Sequence, residues 1–177
     1  MRKISILLIV LLSMLAFASA ALAGEPPDKN FTAELTGAGE VPPRDTPATG
    51  HVVFHLSKDG SSLRFKLVVD DITNVVAAHI HCGVPGINGP VGVNLFTGGV
   101  PGSGSFDGVL SEGVITAPNP GNSCNWTTLD QVVEAMRSGL TYVNVHTNDG
   151  VAPTNTGPGD FPGGEIRGQI YGSGEAP

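Results

Sequence analysis

The chain has 177 residues, 16 of them acidic against 9 Lys and Arg, and a formal net charge of −7. This length fits one domain that can bury a core of its own. Because an acidic chain repels phosphate groups, the charge argues against nucleic acid and anionic membrane surfaces as partners.

The N-terminal residues predict export. Arg2 and Lys3 precede the apolar run Ile4–Phe17, and Ala21-Leu22-Ala23 matches the pattern of a signal-peptidase site. The run is shorter than the roughly 20 apolar residues that span a bilayer. We therefore predict a signal peptide at residues 1–23, a secreted or periplasmic protein, and no membrane span after cleavage. Cleavage would leave 7 Lys and Arg against 16 acidic residues, a net charge of −9.

The rest of the chain reads as one β-rich domain at residues 31–172, between a short segment at 24–30 and a tail at 173–177. Apolar residues alternate with polar ones in short runs, the period of a half-buried strand. Asp59-Gly60 marks a hairpin turn between two of these runs. Many short strands between turn-rich segments favour a sandwich or a barrel. The predicted strands are Phe31–Leu35, Val52–Leu56, Leu63–Val69, Val75–His81, Val91–Phe96, Val109–Thr116, Tyr142–Thr147 and Glu165–Tyr171.

One helix is predicted at Leu129–Ser138. Thr128 and Gln131 fit a capping box at its start, and Gly139 is a natural end. The apolar residues of this segment recur on one face, so we expect the helix to cover an open end or edge of the strands.

The chain has two cysteines, Cys82 and Cys124. Two cysteines in an exported protein predict one disulfide. The alternative is a pair of free thiols, one of which could be a metal ligand.

Two histidines share one face of a predicted strand. Because successive side chains alternate between faces, His79 and His81 point the same way, about 7 Å apart along the strand. Ala78 and Ile80 then face the core. Such a pair can converge on one metal ion, or it can simply be polar surface.

A third histidine, His146, ends the predicted strand that begins at Tyr142. If this strand lies beside the first, three imidazoles meet, a ligand set that suits Cu or Zn. Metal binding should then weaken as the pH falls through about 6.5, where free imidazole takes up a proton. His51 and His55 are too far apart along their strand to share an ion, and solvent-facing positions are the better interpretation for both.

Several segments, taken in order along the chain, resemble the CHRD (chordin-type) domain family. The resemblance runs from about Phe31 to Tyr171, nearly the whole chain after the predicted signal peptide. The family occurs in secreted proteins. The segments that carry the resemblance are Leu35–Pro43 with its Gly37, Gly39 and Glu40, Ala78–His81 followed by Gly83, Gly89–Val91, Tyr142–Thr147 and Gly163–Ile170.

The CHRD family is similar to the β-sandwich of Cu/Zn superoxide dismutase, which also has a strand with two histidines and a later histidine as copper ligands. The resemblance thus implies an all-β fold, an antiparallel Ig-like or superoxide-dismutase-like β-sandwich with one short helix. It makes His79, His81 and His146 the counterparts of the copper ligands. The segment after His81 lacks the histidine-rich zinc loop of that enzyme, so we do not expect a two-metal site.

Glu165 and Arg167 lie on one face of the last long strand, which leaves two interpretations. The first is a cross-strand ion pair, which contributes little if exposed. In the second, Glu165 accepts a hydrogen bond from the free N–H of a ligand histidine and so orients that ring toward the metal.

Two functions from different classes stay open. One is an exported protein that binds Cu or Zn through three histidines. The other is a non-catalytic extracellular or envelope interaction module without metal, whose protein partner is not identified. A superoxide dismutase-like redox enzyme is a distant third, since the acidic charge offers no general attraction for superoxide.

Overall fold

The computed structural model describes residues 29–173, so the predicted signal peptide, residues 24–28 of the predicted N-terminal segment and residues 174–177 of the predicted tail lie outside the described residues. No helix in this described part is both long and apolar enough to cross a membrane. A 3-10 turn, Gly37–Gly39, follows the first strand. The strands and the helix are β1 (Asn30–Thr36), β2 (Thr49–Leu56), β3 (Leu63–Thr73), β4 (Val75–Cys82), β5 (Val91–Phe96), β6 (Ser105–Ile115), α1 (Leu129–Arg137), β7 (Thr141–Thr147), β8 (Ile166–Gln169) and β9 (Tyr171–Gly172).

The strands form one antiparallel sheet in the order β5-β4-β7-β8-β1-β2-β3-β6, and β9 pairs with β1. Its two outer strands approach each other, since the Ser111 hydroxyl on β6 donates to the Leu95 carbonyl on β5 at 2.7 Å. The sheet is therefore barrel-like. The predicted all-β antiparallel class with one short helix is confirmed. The Ig-like or superoxide-dismutase-like sandwich is not confirmed, because β1 pairs with both β2 and β8 and so joins the strands into one hydrogen-bonded path.

The period-two pattern places the apolar side chains on the inner face of this sheet. The predicted hairpin is β2 and β3, whose register pairs Leu56 with Leu63, and both side chains are buried. The capping box of Thr128 and Gln131 is present at the start of α1, and the buried face of α1 includes Met136. Burial of this inner face is the main source of stability of the fold.

The outer face of β4, β7 and β8 is also buried, and it is polar. Tyr142 on β7 lies between His81 on β4 and Gln169 on β8, and the next row places Asn144 between His79 and Arg167. Loop residues contact this face from three parts of the chain: Glu40, the segment 83–90, and Pro162. The fold thus holds a second, polar layer between one part of the sheet and its loops, and this layer contains the histidines.

The two cysteines lie beside this layer. Cys82 ends β4, directly after His81, and its Sγ atom is at bonding distance from that of Cys124, with the Cα atoms 5.9 Å apart. This geometry agrees with the predicted disulfide. The bond would tie the loop before α1 to the end of β4.

Candidate metal centre

Three histidines converge on the outer face of β4 and β7. His79, His81 and His146 each present one ring nitrogen, and these nitrogens lie within 4.8 Å of one another. The local strand period places His79 and His81 on one face of β4, and the pairing of Ala77 with His146 brings β7 alongside. The register between β4 and β5 is irregular at both His79 and His81. Such irregularities in strand pairing are common next to functional sites.

The hydrogen bonds of two rings determine which nitrogens are free. Nδ1 of His81 donates to the Gly89 carbonyl and Nδ1 of His146 to the Pro162 carbonyl, each at 2.9 Å, because a carbonyl can only accept. The Nε2 lone pairs of both rings are therefore available as ligands. Nε2 of His81 is buried and has no hydrogen-bond partner.

The third ring completes the set. Nδ1 of His79 lies 3.1 Å from Nε2 of His146. Two nitrogens bound to one tetrahedral ion at 2.0–2.1 Å would be about 3.3 Å apart, so this pair already has the spacing of two ligands of one ion. The ring nitrogen of His81 lies within 4.8 Å of both.

Burial keeps the imidazoles neutral. It lowers the pKa of His79 and the pKa of His81 to about 4, and the neighbouring imidazoles lower them further. Burial also lowers the pKa of His146, although its bond to Pro162 opposes this. The expectation that metal binding weakens as the pH falls through about 6.5 is therefore corrected: the protonation of His79 and His81 is displaced to about pH 4, and the pKa of His146 also lies below its usual value.

A stack of three side chains supports His81. Its ring is parallel to the Tyr142 ring, with centroids 4.8 Å apart and planes 11° apart. On the other side of Tyr142, the Arg167 guanidinium carbon lies 3.5 Å from the ring centroid. Arg167 also donates to the Ile87 carbonyl and the Asn88 side chain, both at 3.0 Å. The stack thus holds His81 and the loop that leads to Gly89 in one arrangement.

The Tyr142 hydroxyl contacts Gly89 in the same loop. It accepts a hydrogen bond from the Gly89 N–H at 2.9 Å and lies 3.2 Å from the Gly89 carbonyl, the same oxygen that fixes the His81 ring. A side chain at position 89 would overlap the Cys82 carbonyl, so only glycine fits where the loop approaches β4.

Replacing Tyr142 with Phe should test this support. Tyr142→Phe keeps the ring on His81 but leaves the Gly89 N–H without its partner, so we expect a loss of about 1–3 kcal/mol of unfolding free energy. Loss of such outer support typically weakens metal binding by roughly 10–100-fold. Urea unfolding and metal titration measure the two effects. Tyr171→Phe, on β9 away from the histidines, is the matched control, and equal behaviour of the two variants would contradict the role of the hydroxyl.

Glu165 makes neither of the two contacts that the sequence suggested. Its buried carboxylate accepts hydrogen bonds from the Thr46 hydroxyl at 2.5 Å, the Thr147 hydroxyl at 2.6 Å and the Gly159 N–H at 2.9 Å. Within residues 29–173 it forms neither an ion pair with Arg167 nor a hydrogen bond to a histidine. The groups that accept hydrogen bonds from the His81 and His146 rings are backbone carbonyls instead. The hydrogen bonds of Glu165 hold the loop before β8 in place.

Glu40 is a buried group that the sequence patterns did not single out as functional. Its side chain is 4% exposed, and one oxygen lies 3.4 Å from the Asn144 amide nitrogen. Burial raises the pKa of Glu40 to about 7, although Arg167 opposes this rise. The sequence did offer one indication of its importance, because Glu40 lies in the segment Leu35–Pro43, which carries part of the resemblance to the CHRD domain.

The other two histidines lie outside the cluster, as predicted. Nδ1 of His51 is 2.5 Å from a Glu34 carboxylate oxygen, and His55 contacts the Asn30 side chain. Both are on β2, across the sheet from β4 and β7. They are therefore natural controls for the cluster.

An antiparallel, barrel-like β domain that carries three imidazoles on a loop-covered outer face defines a β-protein with a candidate transition-metal centre. The family model of the CHRD domain matches residues 31–170. The chain therefore belongs to the CHRD domain family. Comparisons with curated proteins and with solved structures found no match.

Proposed function

We propose that this chain is an exported CHRD-domain protein that binds one Cu or Zn ion through His79, His81 and His146. The observation that carries the proposal is the convergence of three ring nitrogens within 4.8 Å. Imidazole suits Cu and Zn, whereas Ca and Mg prefer oxygen ligands. The buried Nε2 of His81, which has no other partner, supports the same conclusion.

The proposed location outside the cytoplasm rests on three features. The predicted signal peptide directs export, the CHRD domain resembles domains of secreted proteins, and the Cys82–Cys124 geometry fits a disulfide. Disulfides persist mainly in oxidising compartments.

The proposed site leaves one position for an exchangeable ligand. Three protein ligands leave the fourth position of a tetrahedral ion open, as in sites that exchange or activate a ligand. His79 and His146 are half-buried, whereas His81 is 7% exposed, so the cluster is more accessible at His79 and His146 than at His81. This arrangement favours metal handling or protection over a purely structural ion.

Titration with Cu and with Zn tests the proposal on protein purified without a histidine tag. We expect one ion per chain in the wild type, and an affinity at least 100-fold lower in the His79→Ala/His81→Ala/His146→Ala variant. The matched control is His51→Ala/His55→Ala, which also removes imidazoles from a strand and should leave the affinity unchanged. Equal affinity in the wild type and the triple variant would contradict the proposal.

A second candidate is an interaction module that uses no metal. One observation favours it: a groove of about 640 Å³ crosses β1, β2, β3 and β6, and the exposed Val53 and Val114 are among its lining residues. Exposed apolar surface of this kind often marks a binding site. If the wild type binds no Cu or Zn in the titration, this second candidate becomes the better account.

A superoxide dismutase-like redox role has less support. The histidine arrangement on β4 and β7 agrees with the implied copper site, but the chain is acidic and offers superoxide no general attraction.

A further inference from the structure

We propose that the three-histidine site selects the monovalent ion Cu(I) over divalent ions, and that the buried charge of Arg167 imposes this preference. The inference rests on the proposed function and specifies the ion.

The proposed ligands carry no negative charge. All three are imidazoles, and no Asp, Glu or Cys joins their group in the described part of the chain. A bound ion would therefore keep its full charge in a buried place. Because the solvation cost of burying an ion grows steeply with its charge, a neutral ligand set favours a monovalent ion.

Arg167 adds a fixed positive charge. Its side chain is 2% exposed, and its hydrogen bonds go to neutral groups, the Asn88 side chain and the carbonyls of Val84 and Ile87. Within residues 29–173 no carboxylate lies within 4.0 Å of it to form an ion pair. Its charge is thus not neutralised by direct contact.

This charge lies close to the proposed ion. The guanidinium is 3.5 Å from the Tyr142 ring centroid, and the His81 ring is 4.8 Å from that centroid on the other side. The guanidinium and the His81 ring are therefore roughly 8 Å apart. An ion bound to that ring at about 2 Å would lie roughly 11 Å or less from the guanidinium, and at such a distance inside a protein each additional positive charge on the ion should lower its affinity on the order of tenfold.

Among residues 29–173, no neighbouring negative charge cancels the positive charge of Arg167. Glu40, a carboxyl group of the same polar layer, lies 3.4 Å from the Asn144 amide nitrogen and forms no ion pair with Arg167 within 4.0 Å in the described part of the chain. Glu40 interacts with Arg167, but because its pKa is raised to about 7 it is largely protonated in slightly acidic solution. Glu40 therefore does not cancel the charge of Arg167 at such a pH.

The number of protein ligands also favours Cu(I). Cu(I) is stable with three ligands, whereas Zn(II) is almost always four-coordinate and would need a ligand from solvent. Geometry and charge thus both favour Cu(I).

Competition against chelators of known affinity tests the inference at pH 6.5, with Cu(I) kept reduced and oxygen excluded. We expect the wild type to bind Cu(I) more tightly than Zn(II). Arg167→Gln should reduce the ratio of Cu(I) to Zn(II) affinity about tenfold, because a divalent ion gains more from losing the charge. It should also lower the copper reduction potential.

Two further variants separate charge from structure. Arg167→Lys keeps the charge but loses the stacked, forked contacts, so it should retain the ratio even if both affinities fall. Arg64→Gln removes the same charge from an exposed position on β3 and should change nothing.

The outcomes distinguish this inference from the proposed function. Zn(II) binding as tight as Cu(I) in the wild type, or an unchanged ratio in Arg167→Gln, would overturn the Cu(I) preference and leave metal binding in place. If the wild type binds neither ion, both fail. If Arg167→Gln does not fold, the wild-type ratio together with that of Arg167→Lys decides.

Discussion

Acidification from pH 7 to pH 4 should lower the free energy of unfolding of the metal-free protein. Burial lowers the pKa of His81 from 6.5 to about 4 in the folded protein. Between these two values the unfolded chain binds a proton that the folded protein does not, so the free energy of unfolding falls as the pH falls. His81 alone should contribute about 3 kcal/mol. His79 and His146, whose pKa values are also lowered, act in the same direction.

Glu40 acts in the opposite direction. Its pKa is raised from 4.5 to about 7, so between these values the folded protein binds the additional proton and gains stability as the pH falls. One carboxyl group opposes three imidazoles, so the net effect remains a loss of stability in acid.

Urea unfolding at several pH values between 4 and 7 measures this balance. Glu40→Gln should make the acid loss steeper, because it removes the opposing group. Replacing the three clustered histidines with Gln should make the loss shallower, and the variant in which His51 and His55 are replaced with Gln is the matched control. A wild-type stability that stays constant or rises as the pH falls from 6.5 to 4 would contradict the buried, neutral cluster.

Removal of the cysteine pair should cost up to about 4 kcal/mol of unfolding free energy. The bond joins residues 42 positions apart. In the chain-entropy model, cross-linking a loop of this length removes conformational freedom worth about 4 kcal/mol from the unfolded chain. Cys82→Ser/Cys124→Ser should therefore unfold at much lower urea concentration than the wild type.

Two measurements accompany this prediction. Ser123→Ala, beside Cys124, is the matched control and should change stability little. Intact mass after alkylation without reduction should show no free thiol in the exported wild type. Two alkylated cysteines in the unreduced protein, or a double variant as stable as the wild type, would contradict the disulfide.

The sequence predicts the features that depend on local periodicity. Alternation along β4 places His79 and His81 on one face and Ile80 in the core because strand geometry is local. The capping box of Thr128 similarly predicts where α1 begins. Whether His146 lies near His79 and His81 depends on which strands pair. From the sequence, only the resemblance to the CHRD family indicated that it does.

The remaining features depend on long-range contacts. The stack of Arg167, Tyr142 and His81 requires the register of β4, β7 and β8, which no short pattern contains. The displaced pKa values arise because loops cover the outer face of the sheet. Glu165 makes neither predicted contact for the same reason, since its partner Thr46 lies 119 residues away in the chain.

X-ray absorption spectroscopy of the zinc-loaded wild type tests the central claim most directly. The account predicts three imidazole nitrogens at about 2.0–2.1 Å from the metal, and loss of this signal in the His79→Ala/His81→Ala/His146→Ala variant. A spectrum with sulfur or only oxygen neighbours, or one that the triple variant reproduces, would contradict the three-histidine site.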